Sequence, residues 1–130
     1  MKPLILLVDD DLEVRMALSW VLEKHFRMAE AKDGNEGLRK TLELKPDLII
    51  ADSYMPDCDG TEMIERIRAV PELNKIPIIV SSGRLDPDHA NRLEKARVDF
   101  FLPKPFSVLE LPRVINRVLA NHSVSPAPPP

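Results

Sequence analysis

Three consecutive carboxylates stand directly after the first apolar run of this chain. Leu4–Val8 is an uninterrupted apolar stretch, typical of a strand buried on both faces of a parallel sheet, and Asp9-Asp10-Asp11 follows it. Carboxylates held together repel one another, at about 1 kcal/mol for two unit charges ~4 Å apart in bulk water. A bound cation offsets that repulsion, and hard oxygen ligands favour Mg²⁺ or Ca²⁺. The junction therefore predicts a divalent-metal site at a strand end.

Later apolar runs also lead into polar residues: Asp52, Ser81-Ser82-Gly83 and Lys104. In an open parallel sheet, ligands bind beyond the carboxyl ends of the strands. We therefore expect these residues to share one site with the first acidic cluster. The remaining acidic residue, Asp11, is better interpreted as a cap of the helix that follows it.

The elements that must position these residues alternate between strand-like and helix-like patterns. Strands are predicted over Leu4–Val8, Met28–Ala31, Leu48–Ala51, Ile76–Ser81 and Asp99–Leu102. Helices are predicted over Leu12–Phe26, from Asp33 to about Leu44, from about Thr61 to Ala69, from Pro87 to near Ala96, and from Ser107 to Asn121. Asp33 and Asp86 are predicted to cap the second and fourth of these helices, and Ser107–Glu110 is predicted to form a capping box at the start of the last. The second strand is short enough for an edge, and Pro112 predicts a 3₁₀ turn or a late start for the last helix. Five such units predict an α/β fold with helices on both faces of a parallel sheet.

Composition excludes several classes of protein. The 130 residues suit one domain, and a net charge of −3 without a basic run argues against a nucleic-acid surface. The single cysteine, Cys58, excludes an internal disulfide framework. No apolar run approaches the ~20 residues that span a bilayer, so a cytoplasmic protein without a membrane partner is expected. The periodicity predicts a domain over residues 1–121 and a proline-rich tail or linker start over 122–130.

The ordered set of motifs resembles the receiver domain of two-component response regulators. The motifs are Leu7-Val8-Asp9-Asp10-Asp11, residues 46–56 around Asp52, Asp59-Gly60, residues 76–83 ending in Ser81-Ser82-Gly83, and Lys104-Pro105-Phe106. The likeness covers about residues 3–121. It implies a flavodoxin-like, doubly wound sheet of five parallel strands in the order 2-1-3-4-5.

The resemblance implies a phosphoryl-accepting function that needs Mg²⁺. Asp52 would accept the group from a sensor histidine kinase or a phosphotransfer protein. Asp10 and Asp52 would ligate Mg²⁺ together with the backbone carbonyl of Tyr54, while Asp9 would act mostly through metal-bound water. Such a domain assists its own phosphorylation and dephosphorylation but is not an enzyme in the ordinary sense.

The same resemblance assigns the phosphate contacts and the switch. Lys104, followed by a cis bond to Pro105, would neutralise the phosphoryl oxygens, and the Ser82 hydroxyl and Gly83 amide would donate hydrogen bonds. Ser82 would then move towards the phosphoryl group, and Phe101 would turn inward and alter the face formed by the fourth helix, fifth strand and fifth helix. Phe101 is also expected to pack in the core. The resemblance leaves open a homodimer through this face and an output domain beyond the C-terminus.

Some positions depart from the family's usual residues. Ser82 and Gly83 replace the commoner Thr and Ala but keep a hydroxyl and an amide donor. Arg97 falls where Gly usually closes the fourth helix; because a left-handed Arg costs roughly 1 kcal/mol, a reshaped helix end is expected. Bulky Tyr54, two residues beyond Asp52, is predicted to slow autodephosphorylation. Three histidines without ligand spacing are interpreted as surface residues: His25, His89 and His122.

Other functions fit the residues less well. A haloacid-dehalogenase-type phosphatase also uses an Asp nucleophile and Mg²⁺, but it needs a cap insertion and further acidic residues that this sequence lacks. A flavin or nucleotide module would need a Gly-rich phosphate loop after Val8. A pseudo-receiver that binds a partner without phosphorylation remains the main alternative, although the intact acidic set and Lys104 argue against it.

Overall fold

Five strands and five helices alternate along the chain in the computed structural model, which describes residues 2–53, 60–83 and 86–124. The strands are β1 (Leu4–Val8), β2 (Arg27–Ala31), β3 (Leu48–Asp52), β4 (Ile78–Ser82) and β5 (Phe100–Pro103). The helices are α1 (Leu12–Leu22), α2 (Gly34–Leu44), α3 (Gly60–Ala69), α4 (Pro87–Lys95) and α5 (Leu111–Val124), the last preceded by a 3₁₀ turn over Val108–Glu110. Within these described residues, no helix combines the length and the apolar character needed to cross a membrane.

The strands form one parallel sheet in the order β2-β1-β3-β4-β5, which confirms the predicted fold and the edge position of β2. Successive side chains of β1 enter opposite faces: Leu6 and Val8 join one buried cluster, and Ile5 and Leu7 join the other. Helices α2, α3 and α4 cover the first cluster, while α1 and α5 cover the second. An apolar run without alternation is therefore required, because both faces of the central strands are buried.

Two predicted helix ends are wrong. Helix α1 ends at Leu22, and the amide of Phe26 donates to the Leu22 carbonyl at 2.9 Å as the chain turns. Phe26 is buried beyond the helix, so its apolar character reflected the core and not helical periodicity. Helix α5 continues to Val124, past the predicted end at Asn121.

The start of α5 follows the prediction drawn from Pro112. A 3₁₀ turn precedes the regular helix, which begins at Leu111. The capping box is wrong, however, because the Ser107 side chain makes no capping hydrogen bond. Strand β4 also begins later than predicted, at Ile78, since Pro77 has no N–H to donate to a sheet ladder.

Helix α4 closes without being reshaped, contrary to the expectation for Arg97. Arg97 adopts the left-handed conformation with φ 59°. Its amide donates to the Glu94 carbonyl at 3.0 Å, and the Val98 amide donates to the Leu93 carbonyl at 3.3 Å. These two bonds form a Schellman closure, so a non-glycine residue tolerates the usual helix-ending geometry here.

A buried arginine stabilises the end of the sheet at which the strands begin, here called the amino edge. Arg68 of α3 donates from Nε to the Ala96 carbonyl at 2.7 Å and from Nη2 to the Arg97 carbonyl at 3.1 Å. Nη1 donates to the Ile76 carbonyl at 2.7 Å and to the Asn74 carbonyl at 3.1 Å. The guanidinium thus joins α3 to the closing turn of α4 and to the segment before β4.

Asp99 completes this network. Its Oδ2 accepts from the Ile78 amide at 2.7 Å and lies 3.6 Å from Nη2 of Arg68, and its Oδ1 lies 2.5 Å from Nε2 of His122 on α5. Burial lowers the pKa of Arg68, and the negative charge of Asp99 opposes that shift. We refer to Arg68, Asp99 and His122 as the amino-edge network. His122 was interpreted as a surface residue; its side chain is 34% exposed, and the contact with Asp99 was not predicted.

Candidate functional site

The carboxyl ends of β1 and β3 bring the predicted acidic residues together. Val8 pairs with Ala51, so the residues that follow, Asp9 and Asp52, leave adjacent strands at the same level. One carboxylate oxygen from each of Asp9, Asp10 and Asp52 lies within 4.8 Å of the others. The predicted convergence of this acidic cluster is present in the structure. Asp52 has a nearly buried side chain, 12% exposed, whereas Asp10 faces solvent.

Lys104 approaches the acidic cluster from β5. Its Nζ lies 3.2 Å from Oδ2 of Asp52. The Lys104 amide donates to the Ser82 carbonyl at 3.0 Å, which holds the backbone next to β4. The bond from Lys104 to Pro105 is cis, as expected. Among the residues that the structure describes, one ammonium, that of Lys104, faces these three carboxylates, so negative charge is in excess in this part of the site.

Asp9 shows the electrostatic consequence of this crowding. Burial raises the pKa of the Asp9 carboxyl, and the nearby charges of Asp52 and Asp10 raise it further. The Asp11 amide, which donates to Oδ1 of Asp9 at 2.9 Å, and the Lys104 ammonium oppose the shift. Clustered carboxylate oxygens are the donors that a hard divalent cation prefers, so the residues fit Mg²⁺ or Ca²⁺.

Asp11 has a separate, structural role. Its Oδ1 accepts from the amides of Glu13 at 2.9 Å and Val14 at 3.4 Å, which caps the N-terminus of α1. The acidic run therefore divides into two residues of the acidic cluster and one helix cap, and the cap confirms the prediction for Asp11.

The start of α3 at Gly60 lies unusually close to the backbone of Asp52. A Cβ placed on Gly60 would lie 2.0 Å from the Asp52 carbonyl oxygen and 3.2 Å from Cα of Ser53. Any side chain larger than hydrogen would displace one of these segments. This contact accounts physically for a glycine in the Asp59-Gly60 motif.

Ser82 and Gly83 occupy the same edge of the sheet. Ser82 is the last residue of β4, pairs with Pro103 and is half-buried, and Gly83 follows it in an exposed position. A Cβ on Gly83 would lie 3.8 Å from Cβ of Lys104, an ordinary contact distance. The structure thus places both residues beside Lys104.

Phe101 differs from one expectation. Its side chain is 41% exposed, so the prediction that it packs in the core is wrong. Strand β5 lies at the edge of the sheet, where an apolar residue need not be buried on both faces. The backbone carbonyl of Tyr54, predicted as a metal ligand, belongs to residues 54–59, which lie outside the described part of the chain.

A second cluster of potential ligands has a structural explanation. Asp86, Asp88 and His89 also bring ligand atoms within 4.8 Å of one another. However, Asp86 caps α4 as predicted, accepting from the His89 amide at 2.8 Å, and its Oδ2 lies 2.9 Å from the His89 ring. The acidic cluster around Asp52 is therefore the better candidate site.

Sequence reasoning missed two features of α1. Arg15 donates from Nη1 to the Asp9 carbonyl, a contact that only a basic residue on an otherwise apolar helix face could have suggested. Leu12, Met16 and Trp20 form a stripe at four-residue spacing and are 57%, 61% and 65% exposed. We refer to these three residues as the α1 stripe. Their spacing is visible in the sequence, but the sequence did not show that these three side chains are exposed.

Comparisons with known proteins find similar sequences over most of this chain. Residues 5–116 match the family model described as the response regulator receiver domain. The chain is 35% identical over 127 residues to the KDP operon transcriptional regulatory protein KdpE of Escherichia coli (strain K12), covering 97% of this chain and 55% of that protein. It is 36% identical over 116 residues to the hybrid signal transduction histidine kinase D of Dictyostelium discoideum, covering 88% of this chain and 8% of that protein.

A solved structure supports the same fold. The crystal structure of a response regulator receiver domain protein (CheY-like) from Methanospirillum hungatei JF-1 superimposes with a TM-score of 0.88 at 24% identity, covering 95% of this chain and 98% of that one. At this identity the likeness concerns the fold alone. The chain also spans little more than half the length of KdpE, at 55%, so the whole relative is larger than this domain.

Proposed function

The chain belongs to the family of response regulator receiver domains, and we propose that Asp52 accepts a phosphoryl group from the phosphohistidine of a partner protein. The observation that carries the proposal is the 3.2 Å ion pair between Lys104 and Asp52, set within an acidic cluster that one ammonium cannot neutralise. Lys104 would offset part of the negative charge that a phosphoryl group adds, and a cation held by the carboxylates would offset more of it.

In the transfer, a carboxylate oxygen of Asp52 forms a bond to phosphorus while the bond from phosphorus to the imidazole nitrogen breaks. The donor histidine keeps the electron pair of the broken bond, and Asp52 becomes an acyl phosphate. Lys104 neutralises charge on the phosphoryl oxygens, and the Ser82 hydroxyl and Gly83 amide lie on the same edge as donors. The domain assists its own phosphorylation and dephosphorylation and is not otherwise an enzyme.

The acidic cluster would hold Mg²⁺. Asp10 and Asp52 would supply carboxylate ligands, Asp9 would act mostly through water, and the Tyr54 carbonyl would be the further ligand that the resemblance implies. When bound, Mg²⁺ supplies positive charge that lowers the repulsion between the entering phosphoryl group and the three carboxylates. Its affinity should follow the number of carboxylates, which provides a direct test independent of phosphorylation.

Phosphorylation would be reported on the face formed by α4, β5 and α5. Ser82 is at the end of β4, and Phe101 is on the neighbouring strand with its ring largely outside the core. Attraction of the Ser82 hydroxyl to the phosphoryl group would favour the packing in which Phe101 turns inward. This is a shift between two populations, biased by a new charge.

The α1 stripe supports a docking site for the phosphoryl donor. It begins one residue after the Asp11 cap, so it adjoins the acidic cluster, and exposed apolar residues grouped on one face are typical of protein contacts. A sensor histidine kinase or a phosphotransfer protein in the cytoplasm is the proposed partner. A homodimer and an output domain beyond the C-terminus also belong to this proposal.

The test is incubation of the chain with acetyl phosphate and Mg²⁺, followed by intact-mass measurement. Wild type should gain one phosphoryl adduct, and EDTA should prevent it. Asp52→Asn should gain none, whereas Asp88→Asn, a matched change on α4, should label like wild type. Equal labelling of wild type and Asp52→Asn would refute the acceptor assignment, and no labelling of either would favour a pseudo-receiver.

A further inference from the structure

Arg15 is a nearly buried arginine directly beneath the acidic cluster. Its Nη1 donates to the backbone carbonyl of Asp9 at 2.6 Å, and its side chain is only 14% exposed. Nε lies 3.2 Å from Oε1 of Glu30 on β2, and Oε2 of Glu30 accepts from the Ser19 hydroxyl at 3.1 Å. The guanidinium is thus held by Glu30 of β2 and by the Asp9 carbonyl, and Ser19 of α1 in turn holds Glu30.

These contacts restrain Asp9 at three points. Its amide donates to the Ala31 carbonyl at 3.0 Å, its carbonyl accepts from Arg15, and its Oδ1 accepts from the Asp11 amide at 2.9 Å. Both peptide groups that flank the side chain are therefore held. The orientation of the Asp9 carboxylate towards Asp52 depends on this backbone position.

Glu30 is needed to neutralise the charge of Arg15. An unpaired guanidinium this close to a cation site would repel the cation, and burial strengthens that repulsion. Glu30 neutralises the guanidinium, so the pair can orient the Asp9 peptide without a net positive charge. The Glu30 carbonyl also accepts from Nζ of Lys40, which ties this part of the edge strand to α2.

We propose that Arg15 is a positioning residue for divalent-cation binding, acting through the Asp9 carbonyl, with Glu30 as its neutralising partner. The inference rests on the proposed function, because it assumes that the acidic cluster holds Mg²⁺. A purely structural role, in which the pair only ties α1 to β2, predicts lower stability with unchanged cation affinity.

The experiment measures Mg²⁺ affinity by titration calorimetry and the unfolding midpoint in EDTA, on the whole chain. Arg15→Gln should weaken Mg²⁺ binding about tenfold, as removal of an outer-shell partner does. Arg15→Lys should recover part of the affinity, since an ammonium can reach one acceptor but not both. Glu30→Gln should weaken binding several-fold because it leaves the Arg15 charge unbalanced. Arg39→Gln, which breaks an exposed pair with Glu43, is the matched control and should bind like wild type.

Wild-type affinity in folded Arg15→Gln, whatever its stability, would overturn the inference and leave the proposed function intact. If Arg15→Gln does not fold, Glu30→Gln decides: unchanged affinity there overturns the inference as well. Failure of wild type to bind Mg²⁺ would instead refute the proposed function itself. The two failures are therefore distinguishable in one set of titrations.

Discussion

Aspartates and basic side chains meet both where the strands begin (the amino edge) and where they end (the carboxyl edge). Among the described residues, their charges are balanced only at the amino edge. At the amino edge, Arg68 contacts four backbone carbonyls and lies 3.6 Å from Asp99, which also accepts from a backbone amide. At the carboxyl edge, where the strands end, the described residues place three carboxylates around one ammonium, that of Lys104. A balanced group of charges stabilises the fold, whereas an excess of carboxylates is suited to binding a cation. The comparison teaches that charge balance, and not residue type, separates the site from the scaffold.

Removal of Arg68 should have the largest effect and sharpen the comparison. Arg68→Ala leaves Asp99 without its cation and four carbonyls without a donor, so we expect a loss of about 3 kcal/mol in the free energy of unfolding. Urea unfolding measures it. Arg66→Ala, two residues earlier on α3 with an exposed partner in Glu62, should change stability by no more than about 0.5 kcal/mol. Equal losses in both variants would contradict the assigned role.

A glycine pair tests whether the carboxyl edge is also sterically constrained. Gly60→Ala places a methyl group 2.0 Å from the Asp52 carbonyl and should cost about 2 kcal/mol, with weaker Mg²⁺ binding because Asp52 shifts. Gly83→Ala meets only an ordinary contact at 3.8 Å and should change stability by less than about 0.5 kcal/mol. Urea unfolding and calorimetric titration of both variants would check this. A harmless Gly60→Ala would mean that α3 can withdraw from the site.

Neutralising one aspartate at each edge should give opposite signs. The folded-state pKa of Asp9 is raised above 3.8, so protonation of Asp9 stabilises the fold below that pH, and this stability is lost as the pH rises through the folded pKa. Asp9→Asn should therefore raise the free energy of unfolding by about 1 kcal/mol at pH 7 in EDTA. Asp99→Asn should lower it under the same conditions. Losses in both variants would break the comparison between the edges.

The smallest effect is expected at the periphery of the amino-edge network. His122→Ala removes the 2.5 Å contact with Asp99 and should cost about 0.5 kcal/mol, because both side chains are partly exposed. Amide hydrogen exchange should become faster in the last turn of α5 and stay unchanged in α1. Unchanged exchange at both helices would show that His122 does not hold the end of α5.

Local patterns predicted the parallel sheet and the convergence of the polar residues that follow its strands, and the resemblance supplied the strand order. Buried parallel strands need apolar runs, and their carboxyl ends converge by topology, so Asp9, Asp10, Asp52 and Lys104 could be placed in advance. The predictions were wrong where contacts between residues distant in the sequence determine the structure. The end of α5 involves a contact with Asp99, and the exposure of Phe101 depends on the edge position of β5.

Arg15 illustrates a different limit. Its contact is to a backbone carbonyl, and main-chain acceptors leave no trace in residue type. Arg97 shows the converse, since an unfavourable residue keeps a geometry that the resemblance alone would have assigned to glycine. Sequence patterns therefore identify the side chains that do chemistry more readily than the contacts that hold them.

Lys104 follows immediately on the last residue of β5, and Phe101 lies within the same strand. At ~3.3 Å of rise per residue, roughly 10 Å of extended backbone separates the ammonium-bearing residue from the exposed ring. We expect a displacement of Lys104 to be transmitted to Phe101 directly along this short extended segment. One continuous stretch of an edge strand therefore joins the acidic cluster to the exposed side chain of Phe101.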